Sequence, residues 1–127
     1  MNTIERFCFD VEAIIPEFVL GKNTHFSFIQ LEDVGPGELQ MNCRWTVLNR
    51  FLLDVVFNNV WKLQLGSADN RSISEVFAVE QCAETPSQPL DRGRFCIHSV
   101  SDDWRWYFEE LRLVSVHQKV TVSPLIR

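Results

Sequence analysis

The stretch MNCRWTVLNRFLLDVVFNNVWKLQL, residues 41–65, decides how the rest of the chain is read. Every second residue is Met41, Cys43, Trp45, Val47, Asn49, Phe51, Leu53, Val55, Phe57, Asn59, Trp61, Leu63 and Leu65, apolar except at two asparagines. Successive side chains of a strand point to opposite faces, so this alternation predicts strands over residues 39–47, 51–57 and 61–65. The turns between them fall at Leu48-Asn49-Arg50 and Asn58-Asn59-Val60. A two-residue loop at the second turn would put Lys62 and Gln64 on the face of Val55 and Leu53. A three-residue loop pairs Phe57 with Trp61 instead and keeps the apolar faces together, with Asn59 able to take the left-handed conformation. Trp45, Phe57 and Trp61 are therefore expected in the core. A helical spacing also runs through Leu48, Phe51, Leu52, Val55, Val56 and Asn59, but the β-branched and aromatic content favours strands.

Upstream, residues 4–20 fit two patterns. Ile4, Phe7, Cys8, Val11, Ile14, Ile15 and Phe18 make one face of a helix, whereas Phe7, Phe9, Val11 and Ala13 make one face of a strand. The clean alternation of Arg6, Cys8, Asp10 and Glu12 opposite them favours a strand over residues 6–13, and Pro16 interrupts either element. Gly21-Lys22-Asn23 reads as a turn into a strand over residues 25–31 with Phe26 and Phe28 on one face. Gly35-Pro36-Gly37 then predicts a hairpin into the central stretch.

Downstream, a polar turn is expected at 66–71, a strand at 74–82, a loop at 84–89 and a strand at 94–100 with Phe95 and Ile97 opposite Cys96, His98 and Val100. Residues 104–116 read as one long strand with Trp104, Trp106 and Phe108 on a shared face and a bulge near Glu109-Glu110. A short helix capped by Ser101 is the competing reading. Seven to nine strands in 127 residues give a mainly β fold, an antiparallel sandwich or barrel with room for one short helix. At this length a single domain over residues 1–127 is expected, burying roughly two thirds of its unfolded surface.

Ten Phe and four Trp demand burial, and a net charge of -5 disfavours nucleic acid and anionic membranes, which are bound through Lys and Arg. No run of about 18 apolar residues is present, so no membrane span is expected. The start MNTIERFCFD does not read as a secretory signal. Cys8, Cys43, Cys82 and Cys96 are widely spaced in apolar runs and read as reduced core residues of a cytoplasmic protein.

Motifs for chemistry are sparse. There is no GxSxG elbow, and Gly35-Pro36-Gly37 is no phosphate loop. Cys96 and His98 share a strand face, but zinc needs three or four converging ligands, so no metal and no cofactor is expected. A glycosidase pair drawn from Asp102, Asp103, Glu109 and Glu110 would need carboxyls about 5 to 9 Å apart across a substrate, which adjacent strand residues do not supply. The aromatic run 104–108 flanked by these acids has instead the composition of a protein-binding surface. Asp102, Asp103, Tyr107, Glu109 and Glu110 are thus the candidate partner-binding residues, and an acidic rim calls for a basic protein partner. The expectation is a non-enzymatic interaction module, by analogy a toxin-neutralising immunity protein. The alternative is a barrel whose interior, lined by Trp45, Phe57 and Trp61, holds a small apolar molecule or a sugar.

Overall fold

The chain begins with a helix, α1 (Thr3–Glu12), where the strand pattern was favoured. Asn2 explains the difference, because its side chain accepts from the Glu5 amide while the Glu5 carboxylate accepts from the Asn2 amide, a reciprocal cap. Phe7 and Val11 are buried on one helical face, continued by Ile15 and Phe18 in the following turns, and Phe9 is left 62% exposed. A strand would have placed Phe9 beside Phe7 and Val11, so burial settles the period at 3.6 rather than 2. The helix ends before Pro16, and Gly21 follows with φ +90. A Cβ there would stand 2.1 Å from the Phe77 carbonyl oxygen, while the Gly21 carbonyl accepts from the Phe77 amide, so only glycine fits this crossing of two segments.

The computed structural model describes residues 2–35, 38–65, 76–81, 95–100 and 104–118, with main chain only at 27 and 28. Eight strands lie within them: β1 (Thr24–Gly35), β2 (Glu38–Val47), β3 (Phe51–Asn58), β4 (Trp61–Gln64), β5 (Phe77–Gln81), β6 (Phe95–Ser99), β7 (Arg105–Phe108) and β8 (Glu110–Gln118). They form two antiparallel sheets, A in the order β1-β2-β3-β8 and B in the order β4-β7-β6-β5. Both sheets keep two edges among the described residues, so the sandwich of the two expected architectures is realised. The turn expected at 66–71, the loop at 84–89, Cys82 and the end residues beyond Gln118 lie outside the described residues.

The central alternation holds through β2 and β3. Met41, Cys43, Trp45, Val47, Leu53, Val55 and Phe57 are buried, and β2 pairs with β3 from Val47↔Phe51 to Met41↔Phe57. Leu48 and Asn49 both take positive φ in the turn between them, and the Arg50 amide donates to the Val47 carbonyl. Gly35 faces Glu38 across the expected first hairpin. Within β1 the register slips between Phe26↔Trp45 and Phe28↔Arg44, and Phe26 and Ile29 are buried; the face expected of the Phe28 side chain lies outside what is described.

The second central turn behaves differently. Asn59 has the expected left-handed φ of 56, but β4 does not fold back on β3. Val60 is buried and its amide donates to the Leu39 carbonyl, the register then slips where Lys62 takes φ 53, leaving Lys62 and Gln64 exposed and Leu63 packed on the core, and β4 crosses into sheet B. Trp61 pairs with Tyr107, not Phe57, and is only partly buried. The expected bulge at 109–110 is likewise a change of sheet, with β7 in B and β8 in A. The Glu109 amide donates to the Asn58 carbonyl, so the two crossings share one corner.

Aromatic rings fill the space between the sheets. Phe57 meets Trp106 and Phe108 edge-on at 5.4 and 4.9 Å, Phe26 stacks on Trp45 at 5.0 Å, and Phe77 reaches Trp45 at 5.6 Å. Helix α1 closes one end of this core through Phe7, whose ring lies 5.5 Å from that of Trp45. The Thr3 hydroxyl both accepts from the Leu111 amide and donates to its carbonyl, fastening the helix to β8. One hydrophobic cluster thus runs through the helix and both sheets.

Candidate functional site

The outer faces of the sheets carry the polar side chains, and their rows follow from the register. On sheet A, Arg44 of β2, Asp54 of β3 and Ser115 of β8 form one row. Arg44 grips Asp54 with two nitrogens, Nε to Oδ1 at 2.8 Å and Nη2 to Oδ2 at 3.2 Å. The Ser115 hydroxyl donates to Asp54 Oδ2 at 2.9 Å, and His117 Nε2 lies 3.2 Å from Ser115 Oγ and 3.5 Å from Asp54 Oδ2. The Arg44 hydrogen bonds above all hold the Asp54 carboxyl below its usual range, with help from Ser115 and from the charges of Arg44 and His117 and against partial burial. The same contact raises the Arg44 guanidinium.

Serine, histidine and aspartate meeting in one place invites comparison with a nucleophile relay. The geometry is a different one: serine and aspartate both face the same imidazole nitrogen, whereas a relay puts them on opposite nitrogens. The hydroxyl proton goes to a carboxylate held by arginine, which makes it a poor base for activating the oxygen. What the arrangement does is tie three strands together.

The next row holds Asn42, Val56 and Arg112. Val56 is only 6% exposed although it lies on an outer face, and beside it the register slips between Asp54↔Ser115 and Val55↔Leu113. Val114 is the extra residue, 56% exposed at the side of an open hollow of about 590 Å³ bounded also by Asn42, Arg44, Asp54 and Val56. One row further, Glu38, Gln40, Asn58, Asn59, Glu109 and Val34 bound a second hollow of about 290 Å³. Asn58 Nδ2 donates to Glu110 Oε1 at 2.9 Å, Asn59 Nδ2 to Glu109 Oε1 at 2.7 Å, and Gln40 Nε2 to Asn42 Oδ1 at 3.4 Å. Each amide nitrogen is turned to an acceptor inside the chain, and the Asn58 Oδ1 has no partner among the described residues. Carboxylate and carbonyl oxygens therefore dominate this hollow. Glu32, opposite Gln40, adds negative charge on β1 next to it, whereas Asp33, opposite the core-packed Leu39, belongs to the other face and accepts from the Gly35 amide at 3.4 Å.

The five candidate partner-binding residues are divided by the corner. Glu109 lines the acidic hollow, and Glu110 stands beside it on the outer face of sheet A, 3.7 Å from Arg112 Nε. Tyr107 lies on the outer face of sheet B, its ring 5.7 Å from that of Trp61 and 5.7 Å from Lys62 Nζ. Asp102 and Asp103 lie outside the described residues. Of the residues proposed to line an interior site, Trp45 and Phe57 are fully buried among other rings, and Trp61 is on the outer face with Tyr107. Trp104 and Trp106 of the aromatic run are core.

Cys96 and His98 share the outer face of β6, where His98 Nε2 lies 2.6 Å from Glu80 Oε2. Cys43 faces the interior, where burial pushes its thiol well up, and His117 is on sheet A. These residues are thus spread over three surfaces. Cys8, Cys43 and Cys96 form no disulfide among the described residues.

Sequence reasoning missed Glu38, Gln40, Arg44, Asp54, Asn58 and Val114. For Arg44 and Asp54 a signal was available: a hairpin that pairs Val47 with Phe51 also pairs 44 with 54, opposite charges on an outward face. No helix among the described residues is long and apolar enough to cross a membrane. No family model, curated protein or solved structure matches this chain.

Proposed function

We propose that this chain is a non-enzymatic interaction module that takes a basic protein partner, in the manner of an immunity protein occluding a toxin. The observation that carries the reading is the acceptor-rich hollow of Glu38, Gln40, Asn58, Asn59 and Glu109, with Glu32 and Glu110 around it. A lysine or arginine side chain brings the donors and the opposite charge that carboxylate and carbonyl oxygens accept, and a net charge of -5 favours a basic partner. Tyr107 and Trp61, on the other sheet, are a separate surface and take no part in this contact.

Nuclear magnetic resonance titration of the labelled protein with a short lysine- and arginine-rich peptide tests the reading. Amides at 38, 40, 58, 59 and 109 shift, Glu109→Gln weakens the effect, and salt weakens it further. A glutamate-rich peptide of equal length leaves these signals in place. Equal responses to both peptides, or shifts that ignore Glu109→Gln, would rule the assignment out.

A further inference from the structure

The two hollows of sheet A lie on successive rows of one outer face, and their order along the strands has a chemical polarity. Glu38 and Glu109 mark the acidic end, Val56 and Val114 an apolar middle, and the Arg44–Asp54 pair the far end. Rows on one face of a sheet are two residues apart, about 6.8 Å, and the side chains on one side of an extended peptide recur at that same distance. A helical segment, with a pitch of about 5.4 Å, does not match it.

Resting on the function proposed above, we infer that this trough seats an extended segment of the basic partner. A lysine or arginine at position i enters between Glu38 and Glu109, a small apolar side chain at i+2 covers Val56 against Val114, and a hydroxyl side chain at i+4 meets the Arg44–Asp54 pair. Charge selects the occupant. A second copy of this chain would bring another net charge of -5 to an end already carrying Glu38, Glu109 and, on the adjoining strand, Glu32, and like charges across an interface oppose docking. The Val114 bulge is the specificity device, since it raises the side of the trough beside Val56 and gives a small apolar side chain a second apolar surface to cover.

Two acetylated and amidated hexapeptides of equal composition provide the test: Lys-Ser-Val-Ser-Thr-Ser, with lysine and valine on one side of the extended chain, and Lys-Val-Ser-Ser-Thr-Ser, with them on opposite sides. Affinity and the map of shifted amides are measured for the native chain, for Glu109→Gln and for Val114→Asn, whose exposed position leaves folding intact and whose unfolding midpoint is checked alongside. The first peptide binds at least about fivefold more tightly than the second, shifts amides at 38–44, 54–59 and 114, and is weakened by both substitutions. If both peptides bind equally and only Glu109→Gln weakens them, the trough is overturned while the basic-partner reading stands. Shifts confined to other surfaces also overturn the trough. Binding of neither hexapeptide, nor of the longer cationic peptide above, overturns both.

Discussion

Between the sheets, Trp45, Phe57 and Trp106 meet through ring faces and edges, and the indole nitrogens of Trp45 and Trp106 have no hydrogen-bond partner among the described residues. At the corner where the chain changes sheets, Asn58, Asn59, Glu109 and Glu110 meet almost wholly through charge-assisted hydrogen bonds at a partly exposed edge. The seam stabilises by removing apolar area from water and has no preference for direction. The corner contributes less energy but dictates where β4 and β8 go. Stability and topology are thus assigned to different residues, and so are stability and the proposed binding surface.

The comparison breaks most visibly if the seam is cut. Phe57→Ala removes a fully buried ring in edge contact with Trp106 and Phe108, and is expected to lower the unfolding free energy by about 3 to 5 kcal/mol in denaturant titrations. A cost under about 1 kcal/mol would mean that the sheets are not packed face to face through this ring.

At the corner, Asn59→Ala forces a Cβ residue without local hydrogen bonding into φ 56 and breaks the bond to Glu109, for an expected loss of about 1 to 2 kcal/mol. Asn59→Gly breaks the same bond but relieves the backbone. The glycine variant should therefore be the more stable of the two, and the difference isolates the backbone contribution. Helix α1 lies between these extremes in kind, because its face belongs to the seam and its start to polar capping. Asn2→Ala is expected to cost about 1 kcal/mol, read from the same titrations.

The smallest effect is expected on the outer face of sheet A. The folded-state pKa of Asp54 lies below its unfolded value, so its contribution is present in full above the unfolded pKa and is lost as pH falls through the folded one. Asp54→Asn should flatten stability against pH in that acidic window only and cost no more than about 1 kcal/mol near neutrality, as partly exposed ion pairs do. A variant whose acid branch superimposes on that of the native chain would show that Arg44 and Ser115 do not hold this carboxylate.

Legibility in the sequence follows the same division. Alternation in β2 and β3 was readable because a buried face imposes period 2 on every residue, and with the Val47↔Phe51 turn it even implied the Arg44–Asp54 pair. The mainly β class, read as a sandwich or barrel, and the core role of Trp104, Trp106 and Phe108 came from the same rule, and the left-handed Asn59 from turn chemistry. The helix was misread because Ile4 to Phe18 satisfy both periods, and the arbiter, the reciprocal cap of Asn2 and Glu5, is only two residues. The acidic hollow could not be read at all: Glu38, Asn58 and Glu109 are far apart in the chain and meet only where two crossings coincide.

By itself, then, the sequence determined which residues are buried along β2, β3 and β7, since hydrophobic burial acts on local alternation. Tertiary structure alone decided which strand each one pairs with after Asn58 and after Phe108. A turn with left-handed Asn59 is compatible both with a hairpin and with a step to the opposite sheet. The choice was made by Val60 entering the core and by Asn59 reaching Glu109, contacts between residues about fifty positions apart that no local pattern encodes.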